Sequence, residues 1–295
     1  MSEPRVSFEF FPPRTKKGNE RLARRAERLA SATPEFFSVT YGAGGSTRDR
    51  TVETVLTLRA RGLEVAPHLS FGTASDDETL TLLQTFREAG IGRIVALRGD
   101  VPSGLGTARQ LRYAEELVGF IRKHTGRTFH IEVAAYPECH PDSTSPDDDL
   151  VFFQRKVEAG ADSAITQFFY NTDAYFDYVE RCASAGMHIP IVPGVMPITN
   201  YAGLTRFADS CGAEIPRWIR RRLETYRDDE ESLRAFGEVV VTRLCERLLA
   251  GGAPGLHFYT LNQTQPSLRI WEQLAISAPS SQSSAPSSQS PAPSS

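Results

Sequence analysis

Short apolar runs alternate with longer amphipathic segments along the first 276 residues of the chain. Eight of these runs are apolar on consecutive positions, and several are rich in β-branched or aromatic side chains. A strand that is buried on both faces has this pattern, so the runs predict eight buried strands. The predicted strands cover Val6–Phe10, Phe36–Tyr41, Glu64–Leu69, Arg93–Leu97, Phe129–Ala135, Ser163–Phe168, Ile189–Val192 and Leu256–Thr260.

The segments between these runs repeat apolar residues at helical spacing. Three such sets are Leu22, Ala26, Leu29 and Ala30; Leu80, Leu83, Phe86 and Ala89; and Leu111, Ala114, Leu117, Val118 and Ile121. Gly90, Gly160 and Gly186 each follow a helical segment, at a position where glycine commonly ends a helix.

Alternation of strands and helices is typical of a parallel sheet. Eight such units in this length favour an α/β fold, a single (β/α)8 TIM barrel, with extra helices in the long gap between strands seven and eight. Periodicity alone leaves an open doubly wound sheet as an alternative. Residues 1–276 contain no linker and are predicted to form one domain, whereas residues 277–295 are almost entirely Ser, Pro, Ala and Gln, which predicts a disordered tail.

Composition and charge exclude several classes of protein. The net charge of −3 gives no basic surface for nucleic acid, and no apolar run is long enough to span a membrane. The first residues lack the pattern of a signal peptide. The four cysteines (Cys139, Cys182, Cys211 and Cys245) are scattered, so we expect a cytoplasmic protein with free thiols.

In a barrel of this kind the active site lies where the strands end at their carboxyl termini. Polar side chains stand at most of these predicted ends, including Glu9, His68, Arg98, Asp100, His140 and Gln167. Glu9 lies between Phe8 and Phe10. It is either a core glutamate held in an ion pair or, the reading we favour, a general acid whose pKa is raised by burial among apolar neighbours.

Other candidate sites have simpler explanations. Asp100 could cap the next helix or pair with Arg98. His68 and His140 have no partner at metal-ligand spacing, so we expect no metal. The glycines at 42, 44 and 45 do not form a nucleotide-binding fingerprint and are better explained as a flexible turn. The arginine cluster 217–222 fits a solvated helix face or a subunit contact.

Seven motifs, taken in order, resemble those of the methylenetetrahydrofolate reductases. They are Ser7–Pro13 (SFEFFPP), Ser38–Ala43 (SVTYGA), Ala96–Asp100 (ALRGD), Ala134–Glu138 (AAYPE), Ile165–Phe169 (ITQFF), Pro193-Gly194 and Phe258–Asn262 (FYTLN). Each motif is weak alone, but seven in order are specific. The regulatory domain of eukaryotic members has no counterpart here, so the chain resembles the short bacterial form.

This resemblance implies a flavoprotein oxidoreductase of one-carbon metabolism that supplies methionine synthesis. NADH or NADPH would reduce a non-covalent FAD, which would then reduce 5,10-methylenetetrahydrofolate to 5-methyltetrahydrofolate. The net charge indicates no nucleic-acid partner, and the sequence is compatible with a homo-oligomer but does not fix the oligomeric state. By position, Glu9 matches the general acid, Asp100 a carboxylate near flavin and folate, Gln167 an amide that contacts both substrates, and Phe207 an aromatic residue beside the nicotinamide. The implied flavin contacts are Thr40, Tyr41, Ala43, His68, Arg98, Gly99, Asp100, Tyr113, Ala114, Tyr136, His140, Asp149, Arg155 and Lys156.

Two positions depart from the family pattern. Phe152 stands where a polar flavin contact, commonly Asn, is expected, which removes one hydrogen bond. Gln263 stands where the family has a substrate-contacting Arg, which affects affinity and the choice of electron donor. Two other functions stay open: another flavin barrel oxidoreductase of the proline dehydrogenase type, and a non-catalytic flavin- or folate-binding protein. The sequence does not distinguish NADH from NADPH.

Overall fold

The computed structural model describes residues 4–41, 45–71, 75–98 and 113–277. The predicted site residues Ala43, Gly99 and Asp100 lie outside these ranges, as does the predicted tail from residue 278 onward. Gly42 and Gly44 of the predicted flexible turn also lie outside them.

Within the described ranges, nine parallel strands form one sheet that curves into a nearly closed barrel, and helices surround it. The strands are β1 (Arg5–Phe10), β2 (Phe36–Val39), β3 (Val65–Leu69), β4 (Arg93–Ala96), β5 (His130–Ala135), β6 (Ser163–Thr166), β7 (Ile191–Val192), β8 (Gly194–Val195) and β9 (Gly255–Tyr259). They are hydrogen-bonded in the order β7-β6-β5-β4-β3-β2-β1-β9-β8. The TIM-barrel prediction is therefore confirmed, and the open doubly wound sheet is wrong.

Ten α-helices cover the outside of the sheet within the same ranges. They are α1 (Lys16–Leu29), α2 (Gly45–Arg59), α3 (Asp76–Glu88), α4 (Ala114–Thr125), α5 (Pro146–Glu158), α6 (Thr172–Ser184), α7 (Tyr201–Cys211), α8 (Arg217–Thr225), α9 (Glu230–Ala250) and α10 (Thr264–Ser277). The predicted extra helices before the last strand are α7, α8 and α9. None of the described helices combines the length and the apolar content needed to cross a bilayer.

The seventh strand differs from its prediction. Instead of one strand over 189–192, the structure has two short strands, β7 and β8, on either side of Pro193. β7 pairs with β6, and β8 pairs with β9. Because proline has no backbone N–H, it cannot donate to a ladder, and the chain passes from one neighbour to the other at this residue. Residues 191–195 thereby join the two ends of the sheet.

Side chains alternate across the barrel wall. In β1, Val6, Phe8 and Phe10 belong to the large core between strands and helices, whereas Ser7 and Glu9 point the other way, into the barrel. A separate small apolar cluster fills the barrel interior. It consists of Phe36, Ala66, Val95 and Ile165.

Helix ends follow the local sequence. Ser75 begins α3 with a reciprocal capping box to Glu78. The predicted helix-ending glycines are confirmed, because Gly90, Gly160 and Gly186 all have the positive φ that favours glycine. Ser75 lies in the loop between β3 and α3, on the carboxyl side of the sheet, whereas the three glycines lead from a helix into the amino-terminal end of the next strand.

Candidate functional site

A cavity of about 430 Å³ opens at the carboxyl ends of the four neighbouring strands β2 to β5. The first turn of α4 and one face of α5 complete its wall. Eight of the predicted flavin contacts line it: Tyr41, Arg98, Tyr113, Ala114, Tyr136, His140, Asp149 and Lys156. The size suits a small-molecule or cofactor site.

Three other predicted contacts lie beside the cavity and do not line it. Thr40 continues β2, where its N–H donates to the carbonyl of Phe10 (2.9 Å). His68 lies deeper in the barrel and is buried. Arg155 lies behind the wall, with its guanidinium 5.2 Å from the ring centre of Phe152.

The cavity also has polar lining that the sequence did not predict. It consists of Ser70, Glu115, Asp142 and Ser143. Asp142 forms an ion pair with Arg98, and the interaction holds the pKa of this carboxyl below its usual value. The loop position of Asp142, 44 residues from Arg98, gave no local signal for this pair.

Two cationic side chains line this cavity, and they differ in their exposure and in their partners. Arg98 is paired at the rim, whereas Lys156 is buried and donates from Nζ to the Ala134 carbonyl (2.6 Å). Burial lowers the pKa of Lys156 to about 8, although the charge of Asp149 opposes the shift. Burial likewise raises the pKa of Asp149. A phosphate bound here would favour the charged form of the lysine, because its negative charge would act in the same direction as that of Asp149.

Phe152 contributes an aromatic surface at the position where a polar contact was expected. Its ring stacks on Tyr113, with centroids 6.4 Å apart and planes 11° from parallel. Both side chains are partly exposed and line the cavity. The departure therefore replaces a hydrogen-bonding group by a flat apolar surface that suits a ring system.

Glu9 lies below this cavity, inside the barrel, and is 8% exposed. Its Oε2 is 3.3 Å from His68 Nε2 and 3.8 Å from His257 Nε2. Burial alone would raise the pKa of Glu9, but the interactions with His257 and His68 outweigh burial and lower the pKa to about 2. The expectation that apolar neighbours keep Glu9 protonated is therefore wrong. Phe8 and Phe10 point to the opposite face of β1, and the true neighbours are histidines.

The end of β9 fixes the backbone that carries Glu9. The Thr260 hydroxyl donates to the Glu9 carbonyl (2.6 Å). The Asn262 side chain accepts from the Phe11 N–H (2.8 Å) and donates to the Phe11 carbonyl (3.0 Å). Leu261 and Asn262 both have positive φ, so the chain turns sharply to make these contacts. The motif at 258–262 thus has a structural role that its sequence did not reveal.

The three predicted substrate residues lie apart from the large cavity. Gln167 follows β6, is half-buried, and accepts from the Phe168 N–H through Oε1 (3.0 Å). Phe207 is 41% exposed on α7. Gln263 lines a second cavity of about 380 Å³ between α1, α9 and α10.

His68 Nε2 is buried and lies 3.3 Å from Glu9 Oε2, an ion-pair contact whose alignment is poor for a hydrogen bond. In the described part of the chain, no three His, Cys, Asp or Glu side chains are grouped as metal ligands would be.

Proteins of known activity resemble this chain in sequence. The family model for methylenetetrahydrofolate reductase matches residues 1–275. The 5,10-methylenetetrahydrofolate reductases of Salmonella typhimurium and Escherichia coli are each 41% identical over 272 residues, which cover 92% of this chain and 90% of each relative. Arabidopsis thaliana methylenetetrahydrofolate reductase (NADH) 1 is 39% identical over 284 residues, which cover 92% of this chain and 48% of the plant protein.

A solved structure is similar in fold. It is a Clostridium thermocellum protein described as binding two copies of 5-methyl-5,6,7,8-tetrahydrofolic acid. The TM-score is 0.64 at 17% sequence identity, and the match covers 92% of this chain and 94% of that chain. At this identity the likeness supports the barrel fold alone.

Proposed function

We propose that this chain, which belongs to the methylenetetrahydrofolate reductase family, reduces 5,10-methylenetetrahydrofolate to 5-methyltetrahydrofolate with FAD as cofactor and NADH or NADPH as electron donor. The observation that carries the proposal is the cavity at the carboxyl ends of β2 to β5, lined by eight residues at family flavin positions. The Arabidopsis relative is named for NADH, so NADH is the first donor to test.

The cavity has the groups that FAD needs. Arg98, Lys156 and the amino-terminal turn of α4 would hold the phosphates, because cations and free N–H groups both favour anions. Tyr113 and Phe152 offer a stacked aromatic surface for a ring of the cofactor. FAD, when bound, would carry reducing equivalents from the nicotinamide to the folate.

Glu9 would supply the proton that folate reduction needs. Opening the methylene bridge leaves a cationic iminium and a nitrogen that must be protonated. Glu9 is buried between two histidines, so a proton that reaches this cluster can pass to the carboxylate and then to the leaving nitrogen. The general acid is then Glu9 with a proton that it shares with the histidines, and the carboxyl group is not permanently neutral.

The remaining roles follow the family positions. Asp100 would stabilise the developing cation with its negative charge. Gln167 would offer an amide to each substrate in turn, and the exposed ring of Phe207 would pack against the nicotinamide. Gln263, in the place of an arginine, would contact substrate without adding charge.

Anaerobic mixing of the FAD-loaded chain with each nicotinamide tests the proposal. We expect the visible flavin absorption to bleach, and methylenetetrahydrofolate then to restore it with formation of 5-methyltetrahydrofolate. An enzyme of the proline dehydrogenase type would be bleached by proline and would ignore the folate. A non-catalytic binding protein would retain the colour in every mixture. Either result would overturn the proposed function.

A further inference from the structure

The second cavity, of about 380 Å³, lies at the carboxyl ends of β8 and β9, and β1 separates it from the strands that carry the large cavity. Residues 197–199, which follow β8, and residues 263–266, which follow β9, form one side of it, and α1 and α9 form the other. Four arginines and one glutamate make up its charged lining: Arg25, Arg28, Arg234, Arg269 and Glu238. We call this space the arginine cavity.

The two arginines from α9 and α10 already have carboxylate partners. Arg269 Nη1 is 3.8 Å from Glu238 Oε2, and Gln273 Nε2 donates to the other oxygen of the same carboxylate (2.5 Å). Arg234 is paired with Glu230, one helical turn earlier (2.9 Å). These interactions balance the charge on the α9 and α10 side of the cavity.

The two arginines from α1 have neutral partners instead. Arg25 Nη1 donates to the carbonyl of Asn262 (2.7 Å), and Arg28 Nη2 donates to Gln265 Oε1 (3.2 Å). In the part of the chain that the structure describes, neither guanidinium has a carboxylate partner. Both side chains are exposed, and a guanidinium has five N–H donors. Each arginine therefore retains donors for an anion that enters the cavity.

The first turn of α10 adds a further attraction for anions. The helix begins at Thr264 in the wall of the arginine cavity, and the free N–H groups at the start of a helix favour negative charge. Thr264 is 7% exposed, and its hydroxyl has no hydrogen-bond partner among the described residues. A buried hydroxyl of this kind is costly unless a bound group or a water supplies a partner. The cavity thus combines donors from α1 and α10.

Arg25 holds the residue next to Gln263. Gln263 directly follows Asn262 and lines the same cavity. Tyr259, four residues before Gln263, is paired in register with Glu9. The Arg25 guanidinium therefore lies beside the position where the family has a substrate-contacting Arg, at the strand end next to Glu9. Because Gln263 is neutral, Arg25 is placed to supply the charge that this position lacks.

We propose that the arginine cavity binds the carboxylates of the glutamate at the end of the folate, and that Arg25 supplies the cation that Gln263 lacks. The inference rests on the proposed function in one respect, that a folate is the substrate. A folate has its reacting pterin at one end and a glutamate with two carboxylates at the other. With the pterin beside Glu9 and the flavin in the large cavity, the tail leads away from β2–β5, past β9, to the arginine cavity.

A cycle of two proteins and two ligands tests this assignment. Arg25→Gln removes the charge and retains a polar side chain. The ligands are 5-methyltetrahydrofolate and 5-methyltetrahydropteroate, which lacks the glutamate. With the FAD-loaded full chain, we expect Arg25→Gln to bind the folate about tenfold more weakly than the parent, because a charge-assisted hydrogen bond is lost. Both proteins should bind the pteroate with the same, weaker affinity. Titration calorimetry measures the four dissociation constants.

Three further variants serve as controls. Arg24→Gln makes the same change of charge on α1, at an exposed position outside the lining of the arginine cavity, and should bind both ligands as the parent does. Arg25→Lys retains the charge and should lose less affinity than Arg25→Gln. Adding Gln263→Arg to Arg25→Gln should restore most of the affinity for the folate, because a guanidinium returns to the family position. In turnover, Arg25→Gln should raise KM for the folate and leave flavin reduction by nicotinamide unchanged.

Three results would overturn the proposal. An equal loss of affinity for both ligands would mean that Arg25 acts by holding the Asn262 carbonyl and not by binding the tail. Unchanged binding of the folate to Arg25→Gln would remove the contact altogether. Weaker binding of NADPH, but not of NADH, with the folate unaffected, would show that the anion in the cavity is the 2′-phosphate of the nicotinamide.

Binding does not depend on turnover, so the two proposals can fail separately. A parent chain that shows the expected cycle but does not reduce methylenetetrahydrofolate would retain the arginine cavity as a tail site and lose the proposed function. A parent chain that reduces the folate but shows no difference between the ligands in the cycle would do the reverse. A parent chain that binds no folate would overturn both.

Discussion

Glu9 and Phe8 are adjacent in sequence, but their side chains lie on opposite faces of β1. Phe8 packs against helices, whereas Glu9 faces His68 and His257 inside the barrel. The pKa of Glu9 is lowered to about 2 from 4.5, so its carboxylate stabilises the folded state above the unfolded pKa. That contribution is lost as the pH falls from about 4.5 towards 2.

We expect Glu9→Gln to separate the two half-reactions. Glutamine retains the shape and can hydrogen-bond the histidines, but it cannot donate a proton. Reduction of flavin by nicotinamide should survive, whereas folate reduction should fall by about 10²–10⁴-fold. Stopped-flow measurement of each half-reaction, with a melt on the same sample, checks this. A glutamate with only a structural role predicts equal loss in both halves and a lower melting temperature.

β8 contains two residues, and its place in the wall depends on Gly194. A Cβ at this position would lie 2.1 Å from the Thr166 carbonyl and 2.5 Å from the Tyr259 ring. Both neighbours are fixed, because the Tyr259 hydroxyl donates to that same carbonyl (2.7 Å). The barrel closes here only because the residue after Pro193 has no side chain.

Gly194→Ala should therefore destabilise the fold by about 3 kcal/mol or more, at the upper end of the range for overpacking. Gly119→Ala is the matched control, because a Cβ at Gly119 in α4 meets nothing within 4 Å. It should stabilise the helix by up to about 1 kcal/mol. Denaturant unfolding of the parent chain and the two variants measures both changes in the free energy of unfolding. Equal stability of Gly194→Ala and Gly119→Ala would contradict the role given to Gly194.

One carboxyl group links the loop after β5 to the segment between α7 and α8. Glu138 Oε2 accepts from the Glu214 N–H (2.8 Å). Burial raises the pKa of Glu138 to about 7, and the charge of Glu214 adds to the shift. The same loop contributes His140, Asp142 and Ser143 to the lining of the large cavity. The protonation of Glu138 therefore affects a loop that forms part of the candidate site.

A raised carboxyl pKa stabilises the folded state fully below the unfolded value, and the contribution disappears as the pH rises through 7. We therefore expect Glu138→Gln to match the parent melting temperature at about pH 5 and to exceed it at about pH 8. Glu214→Gln should shift the same transition to lower pH, because it removes the neighbouring charge. Melts across this range check both, and parallel curves for parent and Glu138→Gln would contradict the assignment.

The sequence predicted the strands and helices that follow a periodic pattern. It did not predict the contacts between residues that lie far apart along the chain. Strand–helix alternation and the glycine helix ends depend on local patterns, and both are confirmed. The break at Pro193 was missed because periodicity does not register a lost N–H. His257 was missed because its partner Ser7 lies 250 residues away, across the pairing of β1 with β9. The roles of Asp100, Gln167 and Phe207 stay predictions.

The barrel interior is arranged in layers along its axis. At the amino-terminal end lies the charged floor around Arg93 and Glu132, and above it the apolar cluster that includes Phe36 and Val95. Glu9 and its histidines follow, and then the large cavity.

The segment 278–295 consists of Ser, Pro, Ala and Gln and carries too little apolar surface to bury. We expect a chain that ends at Ser277, the last residue of α10, to retain its turnover and to melt within about 2 °C of the full chain, a shift under about 1 kcal/mol. A shorter chain that ends at Arg269 is the control. It lacks Ile270 and Leu274, which are buried in the core, and large buried aliphatic side chains contribute about 2–5 kcal/mol each. Thermal melts and steady-state rates of the three chains decide the point. A clear drop for the chain ending at Ser277 would mean that the segment docks on the barrel.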